Sequence, residues 1–216
     1  MMRSKKIFIY LLFSAMILTA CSKTSPLSNE KQSIQNNFND FSTETNNDEN
    51  KLIQEPIDDA IARATKKPFG VKISPDNSPV SPEKFSGYHT GVDFETFPNE
   101  AELDINIYAI CAGPIILKRY VSGYGGVIVQ QCALDNDNVT VVYGHLRLSS
   151  ISSELNQILG QSQQIGMLGQ GFSAETDGER KHLHLGIHKG QTINLLGYVE
   201  TSNLLDEWID PITLIK

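Results

Sequence analysis

The sequence predicts a mainly β domain, an antiparallel sheet with one or two short helices, and three observations carry that prediction. Short apolar runs rich in Val, Ile and Tyr follow one another from about residue 105 onward, the composition of half-buried strands. Gly, Asn and Asp punctuate them at hairpin spacing. Most of the intervals are too short for the helical crossovers that a parallel sheet needs.

In chain order the predicted strands are INIYAIC (105–111), GPIILKRYV (113–121), GGVIVQQC (125–132), NVTVVYGHL (138–146), QQIGMLG (163–169) and HLHLGIH (182–188). SGYGG (122–126) and LDNDN (134–138) supply turns between neighbours. SSELNQIL (152–159) and LLDEWI (204–209) predict short helices, with Trp208 expected to pack on the sheet. A further short helix is expected over PIDDAIARATK (56–66). No internal repeat is present.

Three segments precede or make up this pattern. Arg3, Lys5 and Lys6 followed by the apolar run Ile7–Leu18 form a secretory signal peptide over residues 1–20, with an apolar stretch too short for a membrane span. Leu18-Thr19-Ala20-Cys21 resembles the bacterial lipobox, which implies that Cys21 is lipidated and becomes the mature N-terminus. Residues 21–67 then read as the lipidated cysteine and a flexible spacer rich in Asn, Ser and acidic residues. Residues 68–216 are the expected folded domain. Removing the signal peptide takes away three basic residues and no acid, so the formal charge moves from −7 to about −10. Such a chain is not expected to bind nucleic acid through charge; a lipid on Cys21 would instead tie it to the membrane, on the outer face of the plasma membrane or on an outer membrane.

Three of the five histidines fall within RKHLHLGIHK (180–189). On a strand, alternate side chains share a face. His182, His184, Gly186 and His188 therefore lie on one side, and Leu183, Leu185 and Ile187 face the core. Neighbouring imidazoles on that face stand about 7 Å apart, so one can bind a metal while the other reaches what the metal holds. His188, about 13 Å beyond His184, is read as a surface histidine. His89 and Asp93 in GYHTGVDFE and His145 in VVYGHL are the other candidates; Gly91 lets the chain curve so that imidazole and carboxylate converge. Of the three cysteines, Cys111 and Cys132 remain once Cys21 is lipidated, and export permits either a disulfide between them or two reduced thiols.

YHTGVDF, YGHL and HLHLGI, in this order, resemble the three signature motifs of peptidase family M23, the lysostaphin- and LytM-type zinc metallopeptidases with a duplicated hybrid motif. The resemblance runs over about residues 85–215 and takes in IYAICAGPI and the closing IDPITLI. It implies a split-barrel-like β-sandwich and one Zn2+ held by His89, Asp93 and His184, with His145 and His182 as the catalytic pair. It also implies an endopeptidase acting on peptidoglycan stem peptides or cross-bridges. The alternative within the family is a non-enzymatic adaptor that activates a cell-wall amidase; such adaptors lack several of these residues, all of which are present here. The chain departs from the family in carrying Arg180-Lys181 where a small Gly-Pro-like pair commonly precedes the H-x-H. The preceding loop (169–181) is also longer and more charged, and an extra Gln-rich turn lies within 156–170. Arg180 and Lys181 are read as solvated loop charges or as contacts to a substrate carboxylate.

Overall fold

The computed structural model describes residues 53–215. The signal peptide, Cys21 and the greater part of the expected spacer lie outside the described residues. The packed unit starts upstream of Pro68: Ile53, Ile57 and Ala60 are fully buried in the same core as the sheet.

Twelve strands form among the described residues: β1 (Lys72–Ile73), β2 (Gly87–His89), β3 (Gly91–Glu95), β4 (Asn106–Tyr108), β5 (Gly113–Val121), β6 (Gly125–Leu134), β7 (Asp137–Leu146), β8 (Ile158–Leu159), β9 (Gln164–Met167), β10 (His182–Lys189), β11 (Tyr198–Val199) and β12 (Trp208–Ile209). The main sheet runs β12-β10-β7-β6-β5-β8, and β3 pairs with the same edge of β10 that β12 continues. β1, β2 and β11 make a three-stranded sheet, and β4 and β9 a two-stranded one. Every pairing is antiparallel. Among the described residues the protein is thus mainly β, with no closed barrel.

The alternation predicted for β10 is what anchors it. Leu183, Leu185 and Ile187 are fully buried with Val92, Phe94, Val139, Val141 and Tyr143. Each such side chain contributes about 1.5–3 kcal/mol by leaving water, so a slip of one residue, which would exchange the leucines for the histidines, is strongly disfavoured. Tyr143 keeps its buried hydroxyl satisfied by donating to Gln130 Oε1 (3.0 Å) and accepting from the Ile110 amide (3.0 Å).

One irregularity matters for the site. The β6–β7 register shifts between Gly126↔Leu146 and Ile128↔Tyr143, leaving an extra residue in β7. His145 takes it up with φ of 63°, the left-handed conformation found in β-bulges. Tyr143 before the bulge and Leu146 after it both point into the core, while Gly144 and His145 both face the other side.

The short helices differ from expectation. Over 56–66 only Ala60–Arg63 (α1) is helical, because Asp59 enters it in a left-handed conformation with no side-chain cap. Residues 152–159 are not helical: Asn156 has φ of 68°, and the backbone at 156 and 157 bonds to Ile115 instead. A 3-10 helix covers Ser202–Glu207, after which the chain straightens and Trp208 is buried in β12. Cys111, just before β5, and Cys132, on β6, are joined in a disulfide.

Candidate metal and catalytic centre

β10 lies between β3 and β7, and its register places His184 opposite both Asp93 and Gly144. His89, at the end of β2, folds in over the same point. Three atoms converge: His89 Nε2 is 3.1 Å from His184 Nδ1 and 3.3 Å from Asp93 Oδ1, and His184 Nδ1 is 3.1 Å from Asp93 Oδ1. All three residues are at most 3% exposed. Gly91 permits the approach, since a Cβ there would run into the Leu185 carbonyl and the His184 ring.

The remaining hydrogen bonds fix which atoms are free. A carbonyl only accepts, so His89 Nδ1–H donates to the carbonyls of Lys67 (3.1 Å) and Pro68 (3.3 Å), and Nε2 keeps its lone pair. His184 Nε2 faces the Tyr124 hydroxyl at 3.3 Å, leaving Nδ1 for the cluster. Asp93 has its Oδ2 held by Arg180 Nη2 at 2.8 Å, so Oδ1 is the oxygen presented to the two imidazoles.

The donor set fits zinc. Two imidazole nitrogens and one carboxylate oxygen are ordinary zinc ligands, and atoms bound at about 2.0 Å in a tetrahedron lie about 3.3 Å apart. The edges found here, 3.1, 3.1 and 3.3 Å, match that spacing. Three protein ligands leave a fourth position open, as in catalytic zinc sites.

His145 and His182 stand beside this cluster with ring centroids 4.2 Å apart. His182 Nδ1–H donates to the Arg180 carbonyl (2.9 Å), which turns Nε2 toward the cavity and to 3.3 Å from Asp93 Oδ2. His145 Nδ1 is buried without a partner. Burial, reinforced by the neighbouring His182, holds the His145 imidazole well below its usual pKa and therefore neutral. Burial likewise lowers His184 to about 4, against the pull of Asp93. Burial alone would raise the Asp93 carboxyl; His182 and His89 outweigh it and keep the group ionised, well below the usual carboxylate range.

Four of the five expected site residues, Asp93, His145, His182 and His184, thus line one solvent-connected cavity of about 320 Å³, and His89 completes the ligand group with Asp93 and His184. Three other readings from the sequence need correction. Arg180 is not a solvated loop charge: its Nε and Nη2 are held by Asp93 and Glu95 while the residue lines the cavity. Lys181 is buried, and its Nζ donates to the carbonyls of Glu100, Ala101 and Leu103. His188 is not a surface residue: it is 9% exposed and packs edge-on against Trp208 at 4.9 Å, because β12 covers that end of β10.

Residues that the motifs do not include complete the walls. Tyr124 contacts both His145 and His184. Tyr198 stacks on His89 (5.1 Å) and Phe85 (5.5 Å), and Lys67, ion-paired to Glu83, donates to the Tyr198 hydroxyl. The glycines around Tyr124 were one available signal: Gly144 and Gly197 have no room for a Cβ because this ring occupies the space.

The family model for peptidase family M23 matches residues 87–195. The chain belongs to this family. No curated protein matches the sequence. Among solved structures, the fold is similar to that in the crystal structure of the SpoIIIAH and SpoIIQ complex, with 18% identity, 76% of this chain and 99% of that one covered and a TM-score of 0.50. It is also similar to the catalytic domain of the antimicrobial peptidase lysostaphin from Staphylococcus simulans (18% identity, 71% and 95% covered, TM-score 0.47). A third similar structure is Helicobacter pylori Csd3 (24% identity, 70% of this chain, TM-score 0.44), of which the match spans 36%. At these identities the likeness concerns the fold.

Proposed function

We propose that this protein is a zinc endopeptidase that hydrolyses peptide bonds in peptidoglycan stem peptides or cross-bridges. On this reading it is exported and tethered to the bacterial envelope by a lipid on Cys21. The observation that supports it most is the convergence of His89 Nε2, Asp93 Oδ1 and His184 Nδ1 at zinc-ligand spacing, with a second, unliganded histidine pair alongside.

His89, Asp93 and His184 would hold the ion, which supplies a Lewis acid for the scissile carbonyl and lowers the pKa of water toward about 7. The protein's own share is proton movement and charge stabilisation. His145, neutral because it is buried, accepts the proton of the attacking water. His182, aimed by its bond to the Arg180 carbonyl, would act in its imidazolium form, whose Nε2–H can donate to the developing oxyanion or pass its proton to the leaving amine. Tyr124 and Tyr198 keep the two imidazole ligands from rotating.

The test is a digest of purified peptidoglycans of several cross-link types, with and without chelator, read by mass spectrometry. Chelator-sensitive loss of cross-links is expected. A folded, zinc-loaded protein that cuts none of them would shift the reading to an adaptor for a wall amidase. Cys21→Ser should move the protein out of the membrane fraction; retention there would overturn the lipid tether.

A further inference from the structure

Arg180 sits two residues before His182 on the same face as the site, and its guanidinium touches two carboxylates of β3. Nη2 donates to Asp93 Oδ2 at 2.8 Å. Nε lies 3.0 Å from both Glu95 oxygens, and Nη2 also reaches Glu95 Oε1 at 2.5 Å. Asp93 and Glu95 alternate on one face of β3, so a single planar fork can bridge them. Glu95 is 8% exposed, and the Arg180 side chain 13%, so the arrangement is screened from water.

We infer that Arg180, anchored by Glu95, is a positioning residue for the metal site: it grips Oδ2 of Asp93 and thereby commits Oδ1 to the ion. Without that grip the carboxylate is free to rotate about its terminal torsion, which is a soft one, and Oδ2 could turn toward His182 Nε2, only 3.3 Å away. Anchor, fork and ligand form a chain in which each member orients the next. Partners of metal ligands commonly matter about 10- to 100-fold in affinity. A lysine offers one ammonium and cannot hold both carboxylates at two separate nitrogens, so the fork geometry is needed as well as the charge.

This inference rests on the zinc-site reading, and the experiment separates the two. Zinc affinity of the full chain would be measured by competition with a chromophoric chelator, for wild type, Arg180→Lys, Arg180→Met and Glu95→Gln. Folding would be checked by circular dichroism, and cobalt substitution would report ligand geometry. Arg180→Met is expected to bind zinc about 10- to 100-fold more weakly, Arg180→Lys to recover part of the loss, and Glu95→Gln to fall between Arg180→Lys and wild type. The cobalt absorption of the variants should shift. In an Asp93→Asn background Arg180→Met should add little further loss, because the route through the carboxylate is already gone. Folded variants with wild-type affinity and an unchanged cobalt spectrum would overturn the positioning role. So would an undiminished effect of Arg180→Met in the Asp93→Asn background. A wild type that binds neither metal would overturn the zinc reading itself.

Discussion

His145 and His182 come from different strands, β7 and β10, yet their ring centroids stand 4.2 Å apart beside the three converging ligand atoms. Neither ring supplies an atom to that convergence. His145→Ala or His182→Ala should therefore retain zinc while losing about 10²- to 10⁴-fold in turnover. His184→Ala or Asp93→Ala should lose both. Metal content by mass spectrometry together with the rate of muropeptide release checks the division. If His182→Ala lost zinc and His184→Ala kept it, the roles within the H-x-H pair would be reversed.

The metal-free protein should weaken on mild acidification. Burial holds His184 at about 4 and keeps His145 well below its usual value. In the unfolded chain both titrate near 6.5. Between about pH 6.5 and 4 the unfolded state thus binds protons that the folded state refuses, and stability falls as pH drops, by up to about 1.4 kcal/mol per pH unit for each group. Urea unfolding of the chelated protein at about pH 7 and about pH 5 measures it. A flat profile would show that these imidazoles are not buried neutral.

Lys67 and Glu83 form an ion pair with side chains 2% and 0% exposed. Glu83→Gln leaves an unpaired buried ammonium beneath Tyr198, so a loss of about 3–5 kcal/mol is expected, with much of it recovered in an apolar double replacement of both residues. Burial would raise the Glu83 carboxyl, but the Lys67 bond, the Phe85 amide and Ser78 bring it below the usual glutamate range. The pair's contribution is present above the unfolded value of about 4.3 and fades as pH falls toward the lower folded one. Denaturation of the single and double variants settles the sign.

The disulfide ties Cys111 to Cys132 across a sequence separation of 21 residues. Closing a loop of that size is worth about 3 kcal/mol in the chain-entropy account. Cys132→Ser should lower stability by about that amount while leaving zinc binding intact, since the bridge lies outside the metal cluster. Thermal unfolding with and without reductant provides the measurement.

The long strands were legible because their periods are unambiguous: Leu183, Leu185 and Ile187 against His182, His184 and His188 admit one orientation. β5, β6 and β7 likewise appear close to where their apolar runs placed them. The five site residues were legible as a set because histidine is scarce here and each one sits in a β or turn context. Two-residue strands such as β1, β8, β11 and β12 carry no period to read. The helix expected at 152–159 failed because Leu155 and Ile158 have no core to face and stay 54% and 71% exposed, while β5 claims the backbone. Arg180 and Lys181 look like loop charges in sequence. Their partners, Asp93 and Glu95 for the one and the carbonyls of Glu100, Ala101 and Leu103 for the other, are distant in the chain and come close only through the β3–β10 pairing and the loop that follows β3.

The extra residue in β7 changes the parity of that strand. Counted from Tyr143 in steps of two, residue 145 belongs to the core side and 146 to the site side; the structure has them the other way round. Deleting Gly144 would leave every histidine in the sequence, and plain alternation from Tyr143 would still put residue 145 on the site face and 146 in the core; what would change is position, since the imidazole would take the place of Gly144, where a Cβ already runs into the Tyr124 ring. In this strand, the face a side chain takes is decided by how many residues precede it as much as by which residue it is.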